Sequence, residues 1–332
     1  MKKIMALLLS IVLLIPMTIN VMAVDVNKNL NGLIAYYDKN TTLHSMDEIL
    51  SLARLYYVLP AKYTIAYDEL NIKIENLDSE DQDIKAATAA KYILIAAATN
   101  KKIKDIANGK DVIEILKSCQ NENGSIGKTI YTHYLAMIAL NTVSAKFNED
   151  KAVKWLLNER TEDKTGWNYD KTMSGDIDTT AMMLIALAEY RNRDDVGKAY
   201  VDCYNYFIKC LNANGGYDSA WGTGEAPCSA AMVVMAVTDF SVNNLNDAEW
   251  KGILDSFEKF KNPDGTFRNS VDKEQIYDPF TTPQVLGAFT AFYFKQSAYG
   301  KAMEGKGFLK ADYSEVVKKA VIITVSIVIL GS

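Results

Sequence analysis

Histidine is nearly absent: two residues in 332, His44 and His133. They are far apart and neither falls in a zinc-ligand spacing, which excludes a histidine-built metal centre. Basic excess is also missing. The formal net charge is −5, so there is no electrostatic footprint for nucleic acid. No stretch alternates apolar and polar residues long enough to make a sheet. Cysteine is sparse, with Cys119, Cys203, Cys210 and Cys228. Cys203 and Cys210 stand seven apart on an expected helix, which puts their Cα atoms about 10 Å apart, too far to bridge. Cys210 with Cys228 remains open across a turn, and buried free thiols are the plainer reading.

What the chain does have is apolar residues, 49% of the total, against 23% charged, the balance of a globular protein. Both ends read as targeting segments. Lys2 and Lys3 precede the apolar run Ile4 to Met17, and Val21-Met22-Ala23 offers small residues for cleavage after Ala23. Residues 1–23 therefore read as a secretory leader, and the rest as a secreted or surface-attached protein. In the tail, 300–332, Lys318 and Lys319 precede eleven apolar residues, Ala320 to Leu330. That is a helix of roughly 16 Å, half a bilayer core. It reads as part of a membrane-attachment segment or as a short packed piece.

Between the ends the sequence repeats. A Gly-rich turn leads into a small-residue, very apolar helix at Thr132 to Leu140, Asp178 to Leu187, Cys228 to Val237 and Thr281 to Phe289. Placing Ala139, Ala186, Ala236 and Ala288 in register gives steps of 47, 50 and 52, with a weaker copy at Thr88 to Ala98. Amphipathic stretches lie between: Asp111 to Ser118, Lys151 to Asn158, Lys198 to Asn212 and Asp247 to Lys261. Helices apolar all round must be buried, and amphipathic ones cover them. Upstream, Ser45-Met46-Asp47-Glu48 is a capping box opening a helix to Val58, and Tyr63 to Leu77 with Asp83 to Thr99 form the next expected hairpin. The count is six hairpins over 29–299, an all-α toroid with inner and outer rings. An open solenoid is the alternative.

The turns of these repeats, with Asp176-Ile177-Asp178-Thr179-Thr180, resemble the prenyltransferase and squalene-cyclase repeat superfamily. Within it the chain looks most similar to the cobalamin-binding domain of intrinsic factor and transcobalamin and its bacterial surface relatives. The resemblance implies an α/α6 barrel. Two functions follow from it. Terpenoid cyclases protonate an alkene with the middle acid of Asp-x-Asp-Asp. Asp176 and Asp178 match the first two acids and Thr179 replaces the third, so an enzyme would use Asp178 with Asp176. The vitamin carriers begin an inner helix with Val-Asp-Thr, matched by Ile177-Asp178-Thr179, and have a tyrosine matched by Tyr131. Gly175 stands where one carrier has its cobalt-ligating histidine, and the carriers' second domain has no counterpart here. The resemblance thus favours a non-catalytic binder of a small molecule, corrinoid (cobalamin) or isoprenoid, over an enzyme.

Expected ligand contacts are Tyr131, His133, Trp167, Tyr169, Asp176, Asp178, Tyr217, Trp221 and Gln284. Against each stands a plainer role. Asp178 is placed to cap its helix, His133 suits a core or rim position, and the aromatics could pack the turns. A cell-surface module recognising protein or glycan is the third class. The barrel centre discriminates: a deep apolar cavity with one acid favours a cyclase, a broad polar mouth a corrinoid, and a filled centre an interaction module. Because inner helices start at one end, the mouth is expected to offer N–H groups suited to carbonyl or anionic oxygen.

Overall fold

The computed structural model describes residues 24–219, 224–241, 247–272, 274 and 276–300. The leader, Trp221 and the apolar tail segment lie outside the described residues.

The elements alternate as the repeat requires. The outer layer is α1 (Val26–Tyr37), a 3-10 turn (Ile74–Asp78), the short α4 (Ile103–Ile106) with α5 (Val112–Ser118), α7 (Glu149–Asn158), α9 (Asp194–Cys210) and α11 (Asp247–Asp255). The inner layer is α2 (Met46–Tyr56), α3 (Gln82–Thr99), α6 (Ile130–Thr142), α8 (Ile177–Leu187), α10 (Pro227–Ser241) and α12 (Thr281–Phe294). Each inner helix packs on the next, and α12 packs back on α2, so the array is a closed ring of six rather than an open solenoid. Leu94, Ile138, Ile185, Val234 and Leu286 on the inner helices are all buried.

One expected helix is absent. Tyr63 to Leu77 forms β2 (Thr64–Ile65), paired in parallel with β1 (Thr42–Leu43), then turns and the 3-10 helix. The β-branched pair Thr64-Ile65 is taken by the strand pairing, and Asn71 adopts a left-handed φ of 52° that ends any helix. The four cysteines are all free.

The ring is locked by contacts between the first and last hairpins. Tyr36 stacks on Tyr277 at 5.3 Å, and Tyr37 and Tyr277 both donate to Glu48 Oε1, at 3.1 and 2.8 Å. Asn29 Nδ2 donates to Glu258 Oε1 at 2.7 Å. Glu48 also completes the capping box, accepting from Ser45 N at 2.9 Å while Ser45 Oγ accepts from Glu48 N at 3.1 Å.

The turns at Gly124, Gly215 and Gly265 seat on the following outer helix, against Lys151, Gly252 and Gly32. Gly215, at φ +79°, lies so close to Gly252 of α11 that a Cβ would sit 2.7 Å from the Gly252 carbonyl carbon. Only glycine serves there, for both conformation and space. The residue closing each turn packs into the core: Ile126, Trp167, Tyr217 and Phe267 are all fully buried. They fill the same position in successive repeats and fix turn to helix pair.

Candidate active site

The repeat register also explains which side chains face the hollow centre. Asp47, Asp178 and Cys228 are each the second residue of an inner helix, and Phe280 directly precedes α12. One turn further on, at i+4, come Met182, Met232 and Gln284. These residues, with Tyr134, Ile185, Ser229, Asn269 and Tyr299, line one cavity of about 670 Å³ at the Gly-loop end of the ring. That volume is of the size that encloses a small molecule. Its walls mix apolar side chains (Met, Ile, Phe and Pro) with polar ones (Asp, Ser, Asn and Gln) and two tyrosines.

Asp178 is a strongly perturbed acid at the mouth. Burial pushes its carboxyl up to about 6, a hydrogen bond from Ser229 opposes the shift, and nearby Asp176 reinforces it. Its Oδ1 is buried with no partner. Asp176, not Asp178, caps α8, accepting from Thr179 N at 2.7 Å. The cap falls two residues earlier than the sequence reading placed it, which frees Asp178 to face the cavity. Thr179, in place of a third acid, shares a hydrogen bond of 3.3 Å with the Tyr131 hydroxyl.

Several expected contacts have other work. His133 is fully buried and faces away from the cavity. Its Nδ1 accepts from Ile126 N at 2.8 Å, its Nε2 lies 3.2 Å from Ala152 O, and its ring packs on Trp155 at 4.5 Å. In register it occupies the slot of Thr180 and Thr282, whose Oγ1 atoms accept from Trp167 N and Phe267 N, each at 3.0 Å. It is a turn anchor. Trp167 donates Nε1–H to Leu156 O at 2.8 Å and, like Tyr217, is a buried turn-closing residue without access to the centre. Tyr131 and Tyr169 are 41% and 73% exposed, on the rim and in a loop rather than in the cavity. The structure thus brings Asp178 and Gln284 of the expected set to the cavity.

It also adds residues that the repeat pattern did not single out. Tyr299 donates to Asp47 Oδ1 at 2.6 Å. Burial raises both groups, and Asp47 and Tyr134 lie within electrostatic reach of each other. The Cys228 thiol meets Thr281 Oγ1 at 3.2 Å and burial pushes it up to about 12, so it is no nucleophile at neutral pH. A second, very small cavity at the opposite end shares Ile185 and Tyr299 with the first, which makes those two side chains the floor between them. The segment bearing Tyr299 is pinned by Asp239, which accepts from Ser297 N at 2.6 Å and from Ser297 Oγ at 2.5 Å, and by Arg54 Nη2 donating to Gln296 Oε1 at 3.2 Å. Among the described residues no cluster of His, Cys, Asp and Glu could hold a metal ion, and no helix is long and apolar enough to cross a membrane.

No family model matches the chain, and no curated protein does. Solved structures do. A variant of the type II terpene cyclase MstE from Scytonema, in complex with geranylgeranyl dihydroxybenzoate, aligns with a TM-score of 0.54 at 11% identity, over 81% of this chain and 97% of its own. Protein geranylgeranyltransferase-I of Candida albicans, complexed with GGPP, gives 0.51 at 12% identity, over 83% and 93%. A polysaccharide lyase gives 0.54 at 12%, over 81% and 97%. At such identities the likeness is one of architecture. The chain has the helical toroid fold that these cyclase, prenyltransferase and lyase structures share.

Proposed function

We propose that the toroid binds an isoprenoid-type small molecule in its central cavity, with Asp178 as the group that meets the ligand's reactive end. The observation that carries this reading is Asp178 itself: a carboxyl pushed up to about 6, with one oxygen unpartnered, facing walls of Met182, Met232, Ile185 and Phe280. Apolar walls favour a hydrocarbon body. A carboxyl near 6 is present in both protonation states around neutral pH, so it can accept from a polar end or hand a proton to a double bond. In the second case the proton forms the new C–H bond and Asp178 is left as carboxylate. The carbocation closes onto a neighbouring double bond and finally loses a proton, giving an isomer of the starting material.

The corrinoid expectation finds less support. Of its expected contacts among the described residues, only Asp178 and Gln284 line the cavity. The solved toroids with geranylgeranyl ligands add to the isoprenoid reading as architecture only. Leader, secretion and surface attachment remain part of the proposal on the strength of Lys2 to Ala23 and Lys318 to Leu330.

The test is calorimetry of the full chain with geranylgeraniol, squalene and cobalamin, followed by mass spectrometry for products of unchanged mass and shifted retention. Saturable binding of an isoprenoid is expected. Heat with cobalamin alone would overturn the reading.

A further inference from the structure

Three residues that line the cavity each keep a buried side-chain oxygen without a partner: Asp178 Oδ1 on α8, Gln284 Oε1 on α12 and Asn269 Oδ1 in the loop before α12. All three are acceptors. Buried acceptors left unpaired in a folded protein are costly, and their gathering at one cavity marks where a ligand's donors belong. Among the described residues lining the cavity there is no Lys, Arg or His, while two carboxyls, Asp47 and Asp178, are present.

The inner-helix N-termini, which could have offered an anion their free N–H groups, are already used. Ser45 and Glu48 close the first turn of α2, and Asp176 accepts from Thr179 N at 2.7 Å. Asp278 accepts from Phe280 N and Thr281 N at 3.1 and 2.7 Å. Proline at the first position of α10, Pro227, has no N–H to give. The end of the ring that the sequence alone would assign to carbonyl or anionic oxygen is therefore acceptor-rich, and its helix dipoles face carboxylates rather than open solvent.

We infer that the ligand's polar end is a hydrogen-bond donor, an alcohol or an amine, held by Asp178, Asn269 and Gln284, and that diphosphate esters are excluded. This rests on the isoprenoid reading of the cavity and narrows it to non-phosphorylated compounds. A hydroxyl would satisfy one of the orphaned oxygens and an ammonium group up to three, whereas a diphosphate would bring negative charge against Asp47 and Asp178 with no Lys, Arg or His among the described lining residues to meet it.

The experiment measures binding of geranylgeraniol, geranylgeranylamine, geranylgeranyl diphosphate and squalene to the full chain and to Gln284→Leu. The alcohol and the amine are expected to bind at least tenfold more tightly than the diphosphate. Gln284→Leu should weaken the alcohol about five- to tenfold and leave squalene, which has no donor, unchanged or tighter. Thermal melting of the variant confirms that it is folded, and Gln284→Glu, which keeps an acceptor, should retain the alcohol. Diphosphate binding as tight as the alcohol, or equal weakening of alcohol and squalene by Gln284→Leu, overturns the inference while leaving the isoprenoid reading intact. Absence of binding by all four ligands overturns both.

Discussion

The Tyr299 hydroxyl donates to Asp47 Oδ1 at 2.6 Å, joining the chain beyond the last inner helix to the first turn of the first one. That side chain thereby forms the floor of the cavity together with Ile185 and holds a buried carboxyl in place. Tyr299→Phe keeps the ring and leaves Asp47 without its donor, an expected loss of about 1–3 kcal/mol in denaturant unfolding. Tyr299→Ala removes the floor as well, so the two cavities merge, and its cost should reach about 3–5 kcal/mol. Equal stability of the two variants would show that the ring contributes nothing as a floor.

His133 separates structure from binding. Burial pushes its imidazole down to about 4 from an ordinary 6.5. A base that stays neutral in the folded state stabilises above the unfolded value, and that contribution is lost as pH falls from about 6.5 through 4. His133→Ala should cost about 1–3 kcal/mol at neutral pH, leaving Ile126 N without an acceptor, and should not alter ligand affinity. His133→Thr, which copies the repeat slots of Thr180 and Thr282, should cost less and flatten the acid limb. Urea melts between pH 4 and 7.5 check both.

The repeat made most of this architecture readable before any coordinates. Ala139, Ala186, Ala236 and Ala288 in register identify four inner helices, because only a buried helix tolerates apolar residues on every face. The same register held the answer for His133, Trp167 and Tyr217, since each has a counterpart at the same step that plainly belongs to the core. Asp178 was legible as an acid at a helix start, but not which of Asp176 and Asp178 takes the cap; that depends on one backbone turn. Tyr299 and Asn269 left no local signal. They reach the cavity across the ring, and Tyr299 from a segment that follows the repeats. The segment from Tyr63 to Leu77 departs from the expected helix because Thr64-Ile65 pairs with Thr42-Leu43, and that partner is not visible in the local sequence.

Turn glycines should divide by what their missing Cβ would meet. Gly215→Val forces a side chain into Gly252 as well as a disfavoured backbone, and should cost 3 kcal/mol or about that, enough to loosen the ring. Gly109→Ala shares the positive φ, +79°, but has nothing within 4 Å, so only the conformational cost of about 1–2 kcal/mol applies. Chemical denaturation of the pair gives the comparison, and similar losses would remove the packing argument.

Asp178 should trade stability for function. Its carboxyl is raised, so the folded state favours the protonated form, and charging it costs stability as pH rises from about 4 through 6. Asp178→Asn escapes that cost. The variant should match the wild type near pH 4 and exceed it above pH 6 by up to roughly 2–3 kcal/mol, while losing ligand affinity. A variant less stable than wild type at pH 7.5 would mean that the carboxylate is structurally satisfied.

The central claim, that Asp178 is a desolvated acid waiting on a ligand, is tested most directly by its own titration. Carboxyl-carbon NMR of the labelled full chain, assigned against Asp178→Asn, should show Asp178 titrating near 6 in the free protein. Adding saturating geranylgeraniol should move that midpoint, because a bound alcohol changes the surroundings of the carboxyl. A midpoint near 4 that ignores the ligand would contradict the account.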